Sequence, residues 1–338
     1  MQTPRNPKAS VLLPFYQAGE ELDAAIGSIV GQAFQDWELL LIDNNAHAAA
    51  REIALRRAAQ DPRIRLLEEP RQGIAFALNT GLADARGELI ARMDADDLSH
   101  PRRLERQVAF LDLNPDIGAV ATQTSFRSTI TKNTGYKLFV DWQNSIIGPT
   151  EHFLSRFVES PLAHPTICFR KSLVERFGPY DTGPVPEDYE LWLRWMDHGI
   201  RFYKIPEPLL TWNDHPERLS RKHDNYSREA FYTVKCRYLA RWILRELPPD
   251  KKIIVCGSSK IGRKRSQLLT ELGVEVHGFT DVKARPYRQV RFLPIKELKE
   301  PGPWFLVNFI SKRGVGPAIR KHFTALGFAE GRDFILAG

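Results

Sequence analysis

The sequence predicts an α/β protein: a mostly parallel sheet flanked by helices, followed by a second, smaller α/β domain. Three observations carry this expectation. Short apolar runs alternate with amphipathic segments through the first half of the chain. One of those runs, "WELLLID", is continuous and closes on a carboxylate, as a strand buried on both faces would. After the break "LPPDKK" the same alternation starts again.

Taken in order, "SVLLP" reads as a first strand, and Leu22, Ala25, Ile26 and Ile29 then recur at helical spacing. "WELLLID" (Trp37 to Asp43) is the second strand. A helix-like "AAAREIALRRAA" follows, then "IRLLEE", "GIAFALNTGLADA" and "GELIARMD". In such sheets ligands collect at the carboxyl ends of the strands, so Asp43 and Asp94 are expected to face one crevice. From Pro115 to Pro186 the pattern is less regular. There "EHFLSRFVES" predicts a helix over 151–160 and "PTICF" a strand. "PEDYELWLRWMDHG" predicts a helix that opens at Pro186, carries Glu187 and Asp188 in its first turn, buries Leu191, Trp192 and Trp195, and stops at Gly199. A long helix follows between Asn225 and Leu247, in which large apolar residues alternate with arginines. Two readings of it are open: an interfacial helix on anionic lipid, or a linker whose aromatic face packs between domains. The expected organisation is a first domain over 1–223, a connecting helix and linker over 224–250, and a small domain over 251–338.

The chain has 338 residues, 43% of them hydrophobic and 26% charged, which places it among soluble globular proteins. Its net charge of +7 suits an anionic partner, but with 41 acidic residues a solvated charged surface explains it equally. Nothing beyond net charge points to nucleic acid. Three cysteines, with no CxxC pair, argue against a disulfide scaffold or zinc site. There is no signal-peptide-like run and no apolar run approaching ~20 residues, so a cytoplasmic protein is expected. The sequence leaves the oligomeric state open.

In "ARMDADDLSHPRRLERQ", Asp94, Asp96 and Asp97 lie within four residues. Crowded carboxylates repel unless something positive sits among them. A divalent cation, Mg²⁺ or Mn²⁺, would relieve the repulsion, usually taking one or two carboxylates plus substrate phosphates. A solvated acidic turn in which Asp97 or Ser99 caps the next helix accounts for the same spacing.

Over residues 8–223 the order of features resembles the family 2 glycosyltransferases with the GT-A fold. The residues that carry the likeness are "SVLLPFYQAGEELDAAIGSIVGQAFQDWELLLIDNN", "ARMDADD" followed by "PRRLERQ", "HPTICFRKSLVERFGPYD", "PEDYELWLRW" and "WNDHPERLS". The resemblance implies an inverting, metal-dependent transfer of a sugar from a nucleotide-diphosphate donor to a hydroxyl. The expected donor is a UDP-sugar and the expected acceptor a glycan or lipid-linked molecule. The implied setting is bacterial surface polysaccharide or lipopolysaccharide assembly, with peripheral contact at the inner membrane.

By resemblance, Pro14 and Tyr16 border the nucleotide and Asp43 lies near the base. Asn44 stands where family members often carry a second aspartate that reads uracil. Asp94 and Asp96 match the DxD motif, Asp96 as the direct metal contact and Asp94 toward ribose or a metal-bound water. His215 matches a further metal or diphosphate contact. Arg71 is a candidate for neutralising diphosphate, and a solvated arginine is an equal reading. Asp188 matches the general base, with Glu187 beside it. His164, in "LAHPT", lies in the segment that borders the acceptor.

The tail carries "VCGSSKIGRK". Gly257 and Gly262 match the outer positions of GxGxxG, Ser259 replaces the middle glycine, and Asp281 sits about twenty residues on. This is Rossmann-like in outline, and a structural or partner-docking role fits it better than dinucleotide binding. Two rival functions follow from these features. A nucleotidyltransferase would show a glycine-rich basic loop after the first strand, where this chain has "PFYQAGEELD". An NAD-dependent oxidoreductase would need the tail to bind dinucleotide.

Overall fold

The computed structural model describes residues 6–130, 134–282, 291–312 and 314–338. It divides into two compact units, one comprising residues 1–152 and 162–226 and the other residues 153–161 and 227–338. Among the described residues, no helix is long and apolar enough to cross a membrane.

The first unit starts with β1 (Ala9–Phe15), α1 (Glu21–Val30), β2 (Trp37–Asp43), α2 (Ala48–Gln60), β3 (Ile64–Glu68), α3 (Ile74–Asp84) and β4 (Leu89–Arg92). All seven residues of β2 are buried, which explains its unbroken apolar run. Then come β5 (Leu98–Ser99), α4 (Arg103–Leu113), β6 (Ile117–Ser128), α5 (Thr134–Ser145), α6 (Pro149–Ser155, whose last three residues fall in the second unit), β7 (Cys168–Arg170), α7 (Ser172–Phe177), α8 (Glu187–Asp197), β8 (Arg201–Asp214) and α9 (Leu219–Lys222). The eight strands form one sheet in the order β3-β2-β1-β4-β7-β6-β8-β5. β3, β2, β1 and β4 run parallel, as do β6 and β8; β7 and β5 are antiparallel to their neighbours.

Strand order reverses at β1, so a crevice opens beyond the carboxyl ends of β1 and β4. Phe15 pairs with Asp43 and Leu12 with Arg92, which brings Tyr16, Asp43 and Asp94 to the same edge. Helix α8 is anchored from below. Trp192 and Trp195 are buried, 5.5 Å apart, and Trp195 meets Phe169 edge-on at 5.0 Å. Each such ring contributes on the order of 2–3 kcal/mol by burial and holds the first turn of α8 in place. Gly199, with φ +78, ends the segment where a side chain would be strained.

Two expectations about the middle of the chain change. The helix predicted over 151–160 runs instead over Pro149–Ser155. The stretch read as irregular contains the twelve-residue β6, whose outer half alternates buried and exposed residues too weakly to signal a strand.

The second unit contains α10 (Arg228–Glu246), β9 (Lys252–Cys256), α11 (Lys260–Glu271), β10 (Val276–Thr280), β11 (Arg291–Phe292), β12 (Trp304–Asn308), α12 (Val315–Ala325) and β13 (Phe334–Leu336). Its sheet is wholly parallel, ordered β11-β10-β9-β12-β13. Helix α10 belongs to this unit, so the break near residue 248 falls inside it. The aromatic face of α10 is interior: Tyr238 and Trp242 are buried, and Trp242 packs on Phe157 and Phe305. That is packing, as the large apolar residues suggested, but within one unit.

Candidate active site

Two clusters of ionisable side chains meet at the carboxyl edge of the first sheet. The first is the aspartate cluster, just past β4. One carboxylate oxygen from each of Asp94, Asp96 and Asp97 lies within 4.8 Å of the others. The cluster draws two arginines that sequence reasoning passed over. Arg92, the last residue of β4 and fully buried, pairs with Asp94. Arg218 reaches Asp94 at 3.2 Å, Asp96 at 3.4 Å and Asp97 at 3.2 Å. Burial would raise the pKa of Asp94, but Arg92 and Arg218 outweigh it and hold the carboxyl below its usual range. Asp97 goes the other way. Burial drives it well above the usual carboxylate range, and neighbouring Asp96 and Asp94 add to the rise against Arg218.

The three aspartates therefore have different surroundings. Asp97 is wholly buried and accepts the backbone N–H of Asn213 at 2.8 Å, tying the turn to the end of β8. Asp94 and Asp96 are partly exposed. His215, the residue after β8, places Nε2 at 2.9 Å from Oδ2 of Asp96. Asp96 and His215 line a cavity of about 310 Å³ with Glu21, Arg127, Thr129, Asn213 and Asp214. The oxygen-rich donor set suits a hard divalent ion such as Mg²⁺ or Mn²⁺. Oδ2 of Asp97, buried and without a hydrogen-bond partner among the described residues, is consistent with that fit.

The second cluster sits at the start of α8. Glu187 is buried and accepts from the Tyr226 hydroxyl at 2.6 Å, with Nδ1 of His164 at 3.6 Å on its other oxygen. His164 in turn has Nε2 at 2.9 Å from the Tyr180 hydroxyl. Burial, reinforced by Arg92, pushes His164 down to about 3, so it is neutral at physiological pH. Asp188 accepts the N–H of the next residue, Tyr189, at 2.7 Å. Burial first, and the Glu187 charge second, push Asp188 up to about 6. Arg92 links the clusters: it pairs with Asp94, and its field reaches Glu187, Asp188 and His164.

The structure thus brings together Asp94, Asp96 and His215, and separately His164, Glu187 and Asp188. Pro14 and Tyr16 lie on the same edge, Tyr16 exposed. Asp43, Asn44 and Arg71 are engaged with their own loops. Asp43 accepts from Ala46 N–H at 2.8 Å and pairs with Arg51 at 3.0 Å. The Asn44 amide donates to the carbonyls of Glu69 and Arg71, and its oxygen accepts from Gly73. Arg71 pairs with Glu69 at 2.7 Å, and that hydrogen-bonded partner pulls Glu69 down to about 2. A signal for Arg218 was present in "WNDHPERLS", but an arginine three residues past a histidine has no spacing rule. Arg92 and Tyr226 had none either.

In the second unit, the glycine turn is closed on itself. Ser258 donates both its N–H and its hydroxyl to Asp281, each at 2.9 Å. Gly257 N–H goes to Thr280 and Gly262 N–H to the Ser259 hydroxyl. The acid where a dinucleotide ribose would bind is thus held by the turn itself, and the Gly257 and Gly262 amides are taken by Thr280 and by the helix cap.

Comparison with known proteins agrees with the first unit. Residues 10–178 match the model of the family described as "Glycosyl transferase family 2". The chain is 32% identical over 263 residues to the putative glycosyltransferase EpsE of Bacillus subtilis (strain 168), covering 72% of this chain and 90% of that one. It is 27% identical over 231 residues to the O-antigen biosynthesis glycosyltransferase WbnJ of Escherichia coli, covering 67% and 87%. Among solved structures, S. aureus TarS 1-349 in complex with UDP-GlcNAc superposes with a TM-score of 0.57 at 16% identity, over 78% of this chain and 71% of that one. That likeness shows the GT-A fold expected from the sequence. The chain is a glycosyltransferase and belongs to glycosyl transferase family 2.

Proposed function

We propose that this glycosyltransferase moves a sugar from a UDP-sugar to a hydroxyl of a glycan or lipid-linked acceptor, with inversion at the anomeric carbon. The observation that carries the reading is Asp188, a carboxylate at the head of α8 whose pKa is pushed up to about 6 and which feels the same Arg92 that pairs with Asp94. A general base works best with a pKa close to the working pH. Asp188 takes the acceptor hydroxyl's proton as that oxygen forms its bond to the anomeric carbon. The bond from that carbon to the diphosphate oxygen breaks, and the nucleoside diphosphate leaves with the electron pair from the opposite face.

Asp96 and His215 would hold Mn²⁺ or Mg²⁺ and the diphosphate, with Asp94 toward the ribose or a metal-bound water. The bound ion supplies Lewis-acid stabilisation of the leaving group. Pro14, Tyr16 and Asp43 border the nucleotide. Asn44 and Arg71 act through the loop they brace, and Arg71 keeps its role toward diphosphate as part of the proposal. His164 and Glu187 shape the acceptor side, Glu187 held by Tyr226. The UDP-GlcNAc complex of the structural neighbour supports the donor class, and the O-antigen assignment of the relative supports surface-polysaccharide assembly. An acceptor of that kind would place the protein at the cytoplasmic face of the inner membrane.

Proton NMR of UDP-sugar turnover, with water as the surrogate acceptor, tests the proposal. An α-linked donor should release β-sugar first, and Asp188→Asn should abolish the release. Release of the α-anomer would contradict inversion.

A further inference from the structure

Arg218 is the one buried side chain of the segment 215–223. Its guanidinium sits where a cation for the aspartate cluster would be wanted, within 3.4 Å of a carboxylate oxygen of each of Asp94, Asp96 and Asp97. The geometry is well supported. The group lies 4.7 Å over the Trp212 ring and donates to the Asn213 carbonyl at 2.5 Å. Together with Arg92, it sets two guanidiniums against the three carboxylates.

That balance has a consequence for any ligand. A divalent ion arriving alone would meet two guanidiniums at contact distance in a site of low solvent exposure, and would turn the cluster net positive. Like charges at such spacing repel strongly where water is scarce. A diphosphate arriving alone would meet the carboxylates with both guanidiniums already paired to them. Arriving together, the ion takes the carboxylates, while Arg218 exchanges its aspartates for phosphate oxygens, an equally good or better acid partner for a guanidinium. The exchange is feasible because little apolar burial fixes the segment: in 215–223 every residue other than Arg218 is exposed or half-buried.

We infer that Arg218 couples the two ligands: it competes with the divalent ion for the aspartate cluster and is released by the donor diphosphate, so metal and nucleotide bind as a pair and each binds weakly alone. Arg218 binds the donor diphosphate directly in this scheme. The inference rests on the donor reading proposed above. It adds to that reading an internal cation that sets the metal requirement.

The test is calorimetric titration of the full chain with Mn²⁺ alone, with UDP alone, and with each in the presence of the other. In the wild type, UDP should tighten Mn²⁺ binding by roughly tenfold or more, and Mn²⁺ should tighten UDP by the same factor, since coupling is reciprocal. Arg218→Gln should bind Mn²⁺ alone roughly tenfold more tightly than wild type and should lose most of the coupling. Arg218→Lys keeps the charge and should leave Mn²⁺ alone weak. Circular dichroism of each variant checks folding, and the wild-type titrations need no variant at all. Equal Mn²⁺ affinity with and without UDP in the wild type would overturn the inference. So would R218Q binding Mn²⁺ no more tightly than wild type, or R218K binding it as tightly as R218Q. Failure of UDP, GDP and dTDP to bind under any condition would instead overturn the donor reading, while the comparison with Mn²⁺ alone would still decide the role of Arg218.

Discussion

The Tyr226 hydroxyl donates to Oε2 of Glu187 across 2.6 Å, and this separates two adjacent carboxylates that the sequence presents as equivalents. Glu187 is buried and tied by Tyr226. Asp188, the next residue, is partly exposed at the head of α8. The base should therefore be Asp188. Asp188→Asn is expected to lower kcat by about 10²–10⁴-fold while UDP affinity is kept. Glu187→Gln, which can still accept from Tyr226, should retain most of kcat. Initial-rate kinetics on both variants check this.

The pH profile should show the same carboxylate. A base works ionised, so kcat should fall as pH drops through about 6. His164, pushed down to about 3, cannot supply that limb. The Glu187 charge helps raise Asp188, so Glu187→Gln should move the limb to lower pH. A limb unmoved in that variant would show that the two carboxylates do not interact.

Asp188 also has a stability signature. Its pKa rises from 3.8 in the unfolded chain to about 6 in the fold, so folding takes up a proton between those values. That contribution is fully present below pH 3.8 and is lost as pH rises through about 6. Asn cannot ionise. Asp188→Asn should therefore stabilise the protein at pH 7.5, by on the order of 1–2 kcal/mol once solvent screening of the partly exposed carboxylate is allowed for. The gain should vanish near pH 4 in denaturant titrations.

Asn44 gives a prediction that the resemblance alone would reverse. Its amide nitrogen donates to two carbonyls of the 69–71 loop, at 2.9 Å and 2.8 Å. Asp in its place has no proton to give when ionised. Asn44→Asp, which restores the more common family residue, should cost about 1–3 kcal/mol of stability and should not tighten UDP binding. Thermal melting and calorimetry measure both.

What could be read in advance depended on periodicity and on local motifs. The βα alternation placed β1 to β4, and the Trp192–Trp195 face placed α8, because each is written within a dozen residues. β6 and β8, the longest strands, were not foreseen. Their pairing is interrupted by register shifts, and the outer half of β6 mixes half-buried and exposed positions, so neither strand shows a clean alternation. The aspartate triplet was legible as a crowded acidic turn, but what neutralises it was not. Arg92 points inward from a strand, and Arg218 comes from more than a hundred residues further on. Long-range ion pairs of this kind leave no spacing signal. The boundary near 248 was drawn at a true turn, but a turn alone does not say on which side a helix packs.

The most direct test of the central claim, that the aspartate cluster with a divalent ion holds the donor diphosphate, is calorimetric binding of UDP with and without Mn²⁺ to wild type and to Asp96→Ala. Mn²⁺-dependent binding in the wild type that disappears in Asp96→Ala is the expected result. Binding by Asp96→Ala equal to wild type in the presence of Mn²⁺ would contradict it.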